Sequence, residues 1–251
     1  MQKKHILMGI LTLGICLMLL GFTKVDLLKD FASFDRAYIP ALSMTNQGEK
    51  EQSKMSMSLL KDNWKIFKGK YYKHNSKDSK WKEDFDNVEQ MIMKADSIVS
   101  NEGSLSDAHN SLEGIRTVFM ELRKRSKIEY YIDYLTEFHE PMEAIVLIAK
   151  GKNPETFTDA DIEKIQKSLD EALSIWTRFE KAKFNKSIFG LNKEKTKTMR
   201  NHIKLESESL SKLKQSIETK DKKAIIQSAI GIKPNFVNLF TTFGDFSKMK
   251  S

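Results

Sequence analysis

Asp133, Glu137, His139, Glu140 and Glu143 stand within eleven consecutive residues. This is the densest collection of ligand and acid–base side chains in the chain. On a helix, residues three or four apart lie on one face, so Glu137 and Glu140 share one side, with Asp133 near it, and His139 and Glu143 share another. An imidazole and a carboxylate at that spacing can converge on one divalent cation. Glu140 is the third candidate metal ligand. A complete set needs donors from a neighbouring helix, and His109, His202 and Glu121 are the candidates. The competing reading is an acid-rich helical turn around Pro141, with His139 at a polar contact between helices.

Other chemistries find less support. No Gly-x-Ser-x-Gly and no phosphate-binding glycine loop occurs. The single cysteine, Cys16, excludes an intrachain disulfide framework, cysteine-rich zinc or iron–sulfur sites, and haem attached through two thiols. Twelve methionines suggest soft-metal ligation, but Met55 with Met57, and Met91 with Met93, fall about 200° apart on a helix. Core filling is the better reading of them.

The chain has 251 residues, a formal charge of +8 and only four prolines. Its 40% hydrophobic and 30% charged content describes a globular chain, not a disordered one. Met1 to His5 carry two lysines, and Ile6–Phe22 is an uncharged run of 17 residues. That pattern predicts an export signal over 1–24, with the body outside the cytoplasm. Three fates remain open: cleavage, retention as an anchor, or lipidation at Cys16 in a lipobox-like Leu13-Gly14-Ile15-Cys16. The exported body carries a charge of +5. Its locally basic stretches, Lys61–Lys82 and Arg123–Lys127, read as solvated helix faces. Loose attraction to an anionic membrane or cell-surface polymer is the alternative. Nucleic acid is not an expected partner.

What positions these residues is a set of helices. Apolar side chains recur at three- and four-residue spacing, as in Leu59, Leu60, Ile66, Phe67 or Leu112, Ile115, Val118, Phe119, Leu122. The pattern predicts about eight helices: 26–46, 50–73, 84–101, 105–125, 127–150, 159–183, 192–218 and 221–246. Turn chemistry separates several of them at Asn46-Gln47-Gly48, Asn101-Glu102-Gly103, 151–154 and 218–221. Ser104, Thr158 and Asp221 are the expected N-caps, and Thr158-Asp159-Ala160-Asp161 resembles a capping box. The two halves align at three anchors. Pro40 matches Pro141, Trp64 matches Trp176, and Gly114-Ile115-Arg116 matches Gly231-Ile232-Lys233, at offsets of 101, 112 and 117. The expected fold is therefore all-α: a tandem, duplicated antiparallel up-and-down helical bundle with units at 25–126 and 127–251.

Residues 41–71 run from Ala-Leu-Ser-Met-Thr-Asn-Gln-Gly to Leu-Lys-Asp-Asn-Trp-Lys-Ile-Phe-Lys-Gly-Lys-Tyr. This resembles the last hairpin of the cytochrome b562 and cytochrome c-prime type four-helix bundles. The resemblance implies the bundle fold. It places the haem-ligating histidine of the b562 type at Lys68, and at Glu180 in the second half, so it argues against that haem site. A fainter likeness is to imelysin and iron-uptake helical proteins of the bacterial envelope. Their Gly-x-His-x-x-Glu motif is departed from in Phe138-His139-Glu140-Pro141-Met142-Glu143.

The resulting expectation is an envelope-located, periplasmic or otherwise extracytoplasmic, non-catalytic binding or interaction module. Its partner is a protein or small ligand, with the membrane joined through the N-terminal segment if that is uncleaved. No cofactor is expected. The alternative is a carrier of non-covalent haem b or a divalent metal at a site near His139.

Overall fold

The computed structural model describes residues 24–75 and 77–249. The segment 1–24 expected to direct export lies outside them apart from Lys24, and so does Cys16. The described residues form nine α-helices and no strand. They are α1 Lys24–Gln47, α2 Lys50–Tyr71, α3 Trp81–Ser100, α4 Leu105–Arg125, α5 Asp133–Ala149, α6 Asp159–Lys181, α7 Lys186–Phe189, α8 Lys193–Thr219 and α9 Lys222–Thr241. A 3-10 turn follows at Ser247–Met249. The protein is all-α, a tandem antiparallel up-and-down bundle. In the first set α1 packs on α2 and α4, and α3 on α2 and α4. In the second set α5 packs on α6 and α9, and α8 on α6 and α9. Each anchor pair falls on equivalent helices: the prolines in α1 and α5, the tryptophans in α2 and α6, the glycines in α4 and α9. Among the described residues no helix is long and apolar enough to cross a membrane.

The helix ends show why the chain stops where it does. Ser104 accepts from the Asp107 amide, Thr158 and Asp161 form a reciprocal capping box, and Asp221 accepts from the Ala224 amide. Gly48 and Gly151 take the left-handed conformation, with φ of 77° and 74°. Two other turns differ from expectation, because Glu102 and Lys220 take that conformation instead. At the first of these, the Gly103 amide reaches back to the Ile98 carbonyl at 2.8 Å, a Schellman closure. Gly103 is needed there for closeness. A Cβ on it would meet the Ile98 side chain at 3.0 Å.

The largest departure from the sequence reading is at 127–132, expected to open the fifth helix. Lys127 is left-handed (φ 54°), and the Ile128 amide closes onto the Arg123 carbonyl at 2.8 Å, which ends α4. Tyr130, Tyr131 and Ile132 then turn inward and are buried. They bridge two aromatic clusters. In the first set Phe31, Phe34, Trp64, Phe67, Phe85 and Phe119 stack on one another. In the second, Phe138, Trp176 and Phe179 do the same. Tyr130 touches Phe31 and Phe189, and Tyr131 touches Phe179, Phe184 and Phe243. One apolar core thus runs through both sets. Trp64 and Trp176 are both core side chains.

Three polar features tie the halves together. Pro40 has no N–H to give the carbonyl of Arg36, four residues earlier in α1. That freed carbonyl accepts the Asp245 amide at 2.9 Å, fastening the chain beyond α9 to α1. The Arg36 guanidinium in turn reaches the Phe189 carbonyl. The third is buried. Arg123 of α4 is 3% exposed and forks onto Asp133 at the start of α5, with Nε–Oδ2 at 3.0 Å and Nη2–Oδ1 at 2.5 Å. Its plane lies over Phe31 (4.6 Å) and Tyr130 (4.5 Å). The Tyr130 hydroxyl donates to Asp35 of α1 at 2.6 Å, and burial pushes the Asp35 carboxyl up to about 6.

Two stability predictions follow from buried charge. Arg123→Ala leaves Asp133 buried and unpaired, so urea unfolding should show a loss of about 3–5 kcal/mol. The double variant Arg123→Met/Asp133→Leu should lose clearly less. Glu206 of α8 is fully buried with no partner for either oxygen, and burial raises its carboxyl from 4.5 to about 8. Its raised value means stability is fully present below about pH 4.5 and declines as pH rises to about 8. Glu206→Met should flatten that decline and gain a few kcal/mol at pH 8, measured by denaturation at several pH values.

Candidate ligand-binding cleft

The acid-rich cluster of the sequence falls on α5, and α5 is where the two helix sets meet. It packs on α6 and α9 of its own set and on α4 of the other. Asp133 is spent on Arg123 at the helix start. Glu137 accepts from Arg178 of α6 at 2.7 Å and pairs with Lys124 of α4 at 3.0 Å. His139 and Glu143, one turn apart, turn to two different helices. The His139 Nδ1 lies 2.8 Å from an Arg116 guanidinium nitrogen of α4. Glu143 accepts both its contacts from Lys233 of α9, at 2.8 and 2.9 Å. Glu140 is exposed and has no ion pair among the described residues.

The His139 contact fixes a protonation state. Arginine only donates, so Nδ1 must accept and the ring must be neutral. Burial first, and the Arg116 charge second, hold the imidazole down from 6.5 to about 4. Glu113 stands behind Arg116, ion-paired with it, and also meets His109 Nε2 at 3.2 Å. Burial opposes ionisation of Glu113, but the His109 hydrogen bond and the Arg116 charge prevail and hold it at about 2. The other nitrogen of His109 faces the Leu42 carbonyl of α1 at 3.0 Å. A polar chain therefore crosses the molecule from α1 through α4 to α5: Leu42 carbonyl, His109, Glu113, Arg116, His139.

This chain is a wall between two spaces. On one side is a cavity of about 70 Å³ among α1, α4, α5 and α9, lined by Met142, Phe236 and Phe240 among others. On the other is a cleft of about 1020 Å³ among α4, α5 and α6. Its apolar surface comes from Met120, Ala144, Leu147 and Ile175, and Leu147 is 59% exposed. Six glutamates line it: Glu113, Glu121, Glu137, Glu140, Glu143 and Glu171. Three cations do: Arg116, Lys124 and Arg178. Glu171, like Glu140, is exposed and has no ion pair among the described residues.

The three residues expected to hold a metal are thus on one helix, but their donors do not converge. Arg116 holds the His139 nitrogen and Lys233 holds the Glu143 carboxylate, so a divalent ion there would compete with two cations. Among the described residues no group of three or more His, Cys, Asp or Glu side chains is arranged to hold a metal ion. His109 is engaged with Glu113, Glu121 pairs with Lys124, and His202 lies on α8 away from the cleft. At the haem positions implied by the resemblance, Lys68 pairs with Asp86 and Glu89 of α3, and Glu180 accepts from Ser207 of α8. Sequence reasoning missed Arg116 and Lys233 as site residues. Their signal was present, since they are equivalent positions of the Gly-Ile-basic anchor in α4 and α9.

The lowered imidazole value gives a pH signature. The unfolded chain binds a proton at His139 below about 6.5 and the folded chain does not until about 4. Stability is therefore fully present above 6.5 and falls by up to about 3 kcal/mol as pH drops to 4. His139→Gln should remove that slope, and the imidazole resonances should titrate near pH 4 by NMR. Comparison of the chain with models of known protein families, with curated proteins and with solved structures gives no match.

Proposed function

We propose that the chain is an exported, envelope-located helical-bundle binding protein, non-catalytic, that holds a small cationic ligand in the α4–α5–α6 cleft. The observation that carries this reading is the sign of the cleft. Six carboxylates and three cations line it, in a chain whose formal charge is +8. A positively charged ligand is attracted to such a cleft while the rest of the surface repels it. Glu140 and Glu171 are the carboxylates with no ion pair, so they are the ones a ligand can take without breaking an existing contact. Met120, Leu147 and Ile175 supply apolar surface for its carbon skeleton.

Binding without chemistry fits the remaining groups. Glu113, Glu137 and Glu143 are neutralised by cations already present. A His139 imidazole held at about 4 is a weak base at neutral pH. Export rests on the basic start and the uncharged run 6–22.

The test is calorimetric titration of the full chain, in detergent solution, with spermidine. Binding should weaken as salt rises, and Glu140→Gln/Glu171→Gln should weaken it at least tenfold, since each charged hydrogen bond contributes roughly 1.5–3 kcal/mol. No heat, or heat unchanged in the double variant, would refute the cleft as a cation site. A parallel haem titration decides the carrier alternative. A Soret band abolished by His139→Ala would replace the binding-module reading.

A further inference from the structure

The α2–α3 connection is strongly basic. Lys65, Lys68, Lys70, Lys73, Lys77, Lys80 and Lys82 fall within eighteen residues that contain one acid, Asp78. A groove of about 640 Å³ lies between α2 and α3, and Lys61, Lys65, Lys68, Lys70 and Lys73 line it with Glu89. Some of them are already paired: Lys61 with Asp96, Lys68 with Asp86 and Glu89, Lys70 with Asp30. Lys65 and Lys73, both exposed on the groove, have no ion pair among the described residues. The groove is also apolar. Trp64, Tyr72, Ile92 and Met93 line it, and Met93 is 56% exposed. Trp64 is 4% exposed, and its indole N–H finds no acceptor. That N–H is shielded from the groove, but two unpaired cations and an apolar lining together suit an anionic headgroup on an apolar body.

The position of the groove says where such a ligand would come from. Asp30, near the start of α1, holds Lys70 and Tyr71 at the end of α2. Arg125 at the end of α4 holds Asp84 at the start of α3. Lys24 at the start of α1 reaches the Lys127 carbonyl beyond α4. The lysine-rich connection, the basic end of α4 and the start of α1 are therefore at one end of the first helix set. The uncharged run 6–22 joins the chain at that same end.

We infer that this end of the first helix set rests on an anionic phospholipid bilayer, with a headgroup phosphate in the α2–α3 groove between Lys65 and Lys73. The inference rests on residues 6–22 staying with the chain as a membrane-directed segment. That segment brings the lysines to the surface, where each contributes about 1 kcal/mol against anionic lipid. The groove then holds headgroup oxygens with the two free ammonium groups, Lys65 and Lys73.

The experiment uses the full chain in nanodiscs of phosphatidylcholine alone and of phosphatidylcholine with phosphatidylglycerol. Amine acylation rates are read by mass spectrometry at Lys77, Lys80 and Lys82, with exposed Lys212 and Lys214 of α8 as references. The first three should react about fivefold more slowly in the anionic discs and recover in high salt, while the references stay unchanged. Lys65→Gln/Lys73→Gln, folded by circular dichroism, should bring that slowing below about twofold. Equal rates in both discs would overturn the docking surface. Equal slowing by glycerol phosphate or polyphosphate added to the neutral discs would assign the groove to a soluble anion or polymer and overturn the membrane as its occupant. Failure of the chain to enter either disc would remove the segment reading and this inference with it, leaving the spermidine result as a separate measurement.

Discussion

A guanidinium cannot shed its charge when it is buried, so Arg123 needs a counter-charge and aromatic faces around it, even though its Nη1 finds no acceptor. Those groups come from every part of the junction. Phe31 belongs to α1, Phe119 to α4, Tyr130 to the connection and Asp133 to α5. Their convergence is a geometric condition on how the first helix set meets the second. It also explains the broken helix at 127–132. A continuous α4–α5 helix would carry Asp133 almost three turns beyond Arg123, whereas the turn at Lys127 folds it back onto the guanidinium. Continuous helical periodicity and a buried ion pair competed for this segment, and the ion pair with its aromatic cover prevailed.

The cleft inherits its geometry from that clamp. Arg116 lies two turns back from Arg123 on α4, and His139 lies nearly two turns on from Asp133 along α5. Because the helices leave the clamp side by side, the second pair meets as the first does. The result is an asymmetric use of a repeated scaffold. Tyr38, the counterpart of His139, donates its hydroxyl to the Leu112 carbonyl inside its own helix set. His139 instead accepts from the other set. Arg116 and Lys233 occupy matching positions, yet one takes the imidazole and the other the carboxylate one turn later. Equivalent positions thus make a neutral buried hydrogen bond in one half and a charged wall in the other.

How much of this the chain announced depends on the range of the interaction. Helix identity is local: three- and four-residue spacing, Ser104, Thr158 and Asp221 each act within a turn, and each was readable. Glu102 and Lys220 were not, because a non-glycine residue in the left-handed conformation is held there by the closure around it. In the site, Asp133, His139, Glu140 and Glu143 were visible as a cluster since they sit on one helix. What they bind was not, since Arg116, Lys233 and Arg178 arrive from three other helices. Only the repeat carried any trace of them, through the Gly-Ile-basic anchor. The metal expectation assumed that the open lone pairs of His139 and Glu143 faced each other. The structure gives each a cation of its own.

Net charge then acquires a different meaning from the one composition gives it. The chain is basic, yet five lysines line the α2–α3 groove while six carboxylates line the α4–α5–α6 cleft. In the first set α2 and α3 stand on the far side of α1 and α4, so at least one helix layer, about 10 Å, separates groove from cleft. The screening length at physiological salt is about 8 Å. Each region therefore acts on its surroundings as a separate field of opposite sign, and a single overall charge describes neither.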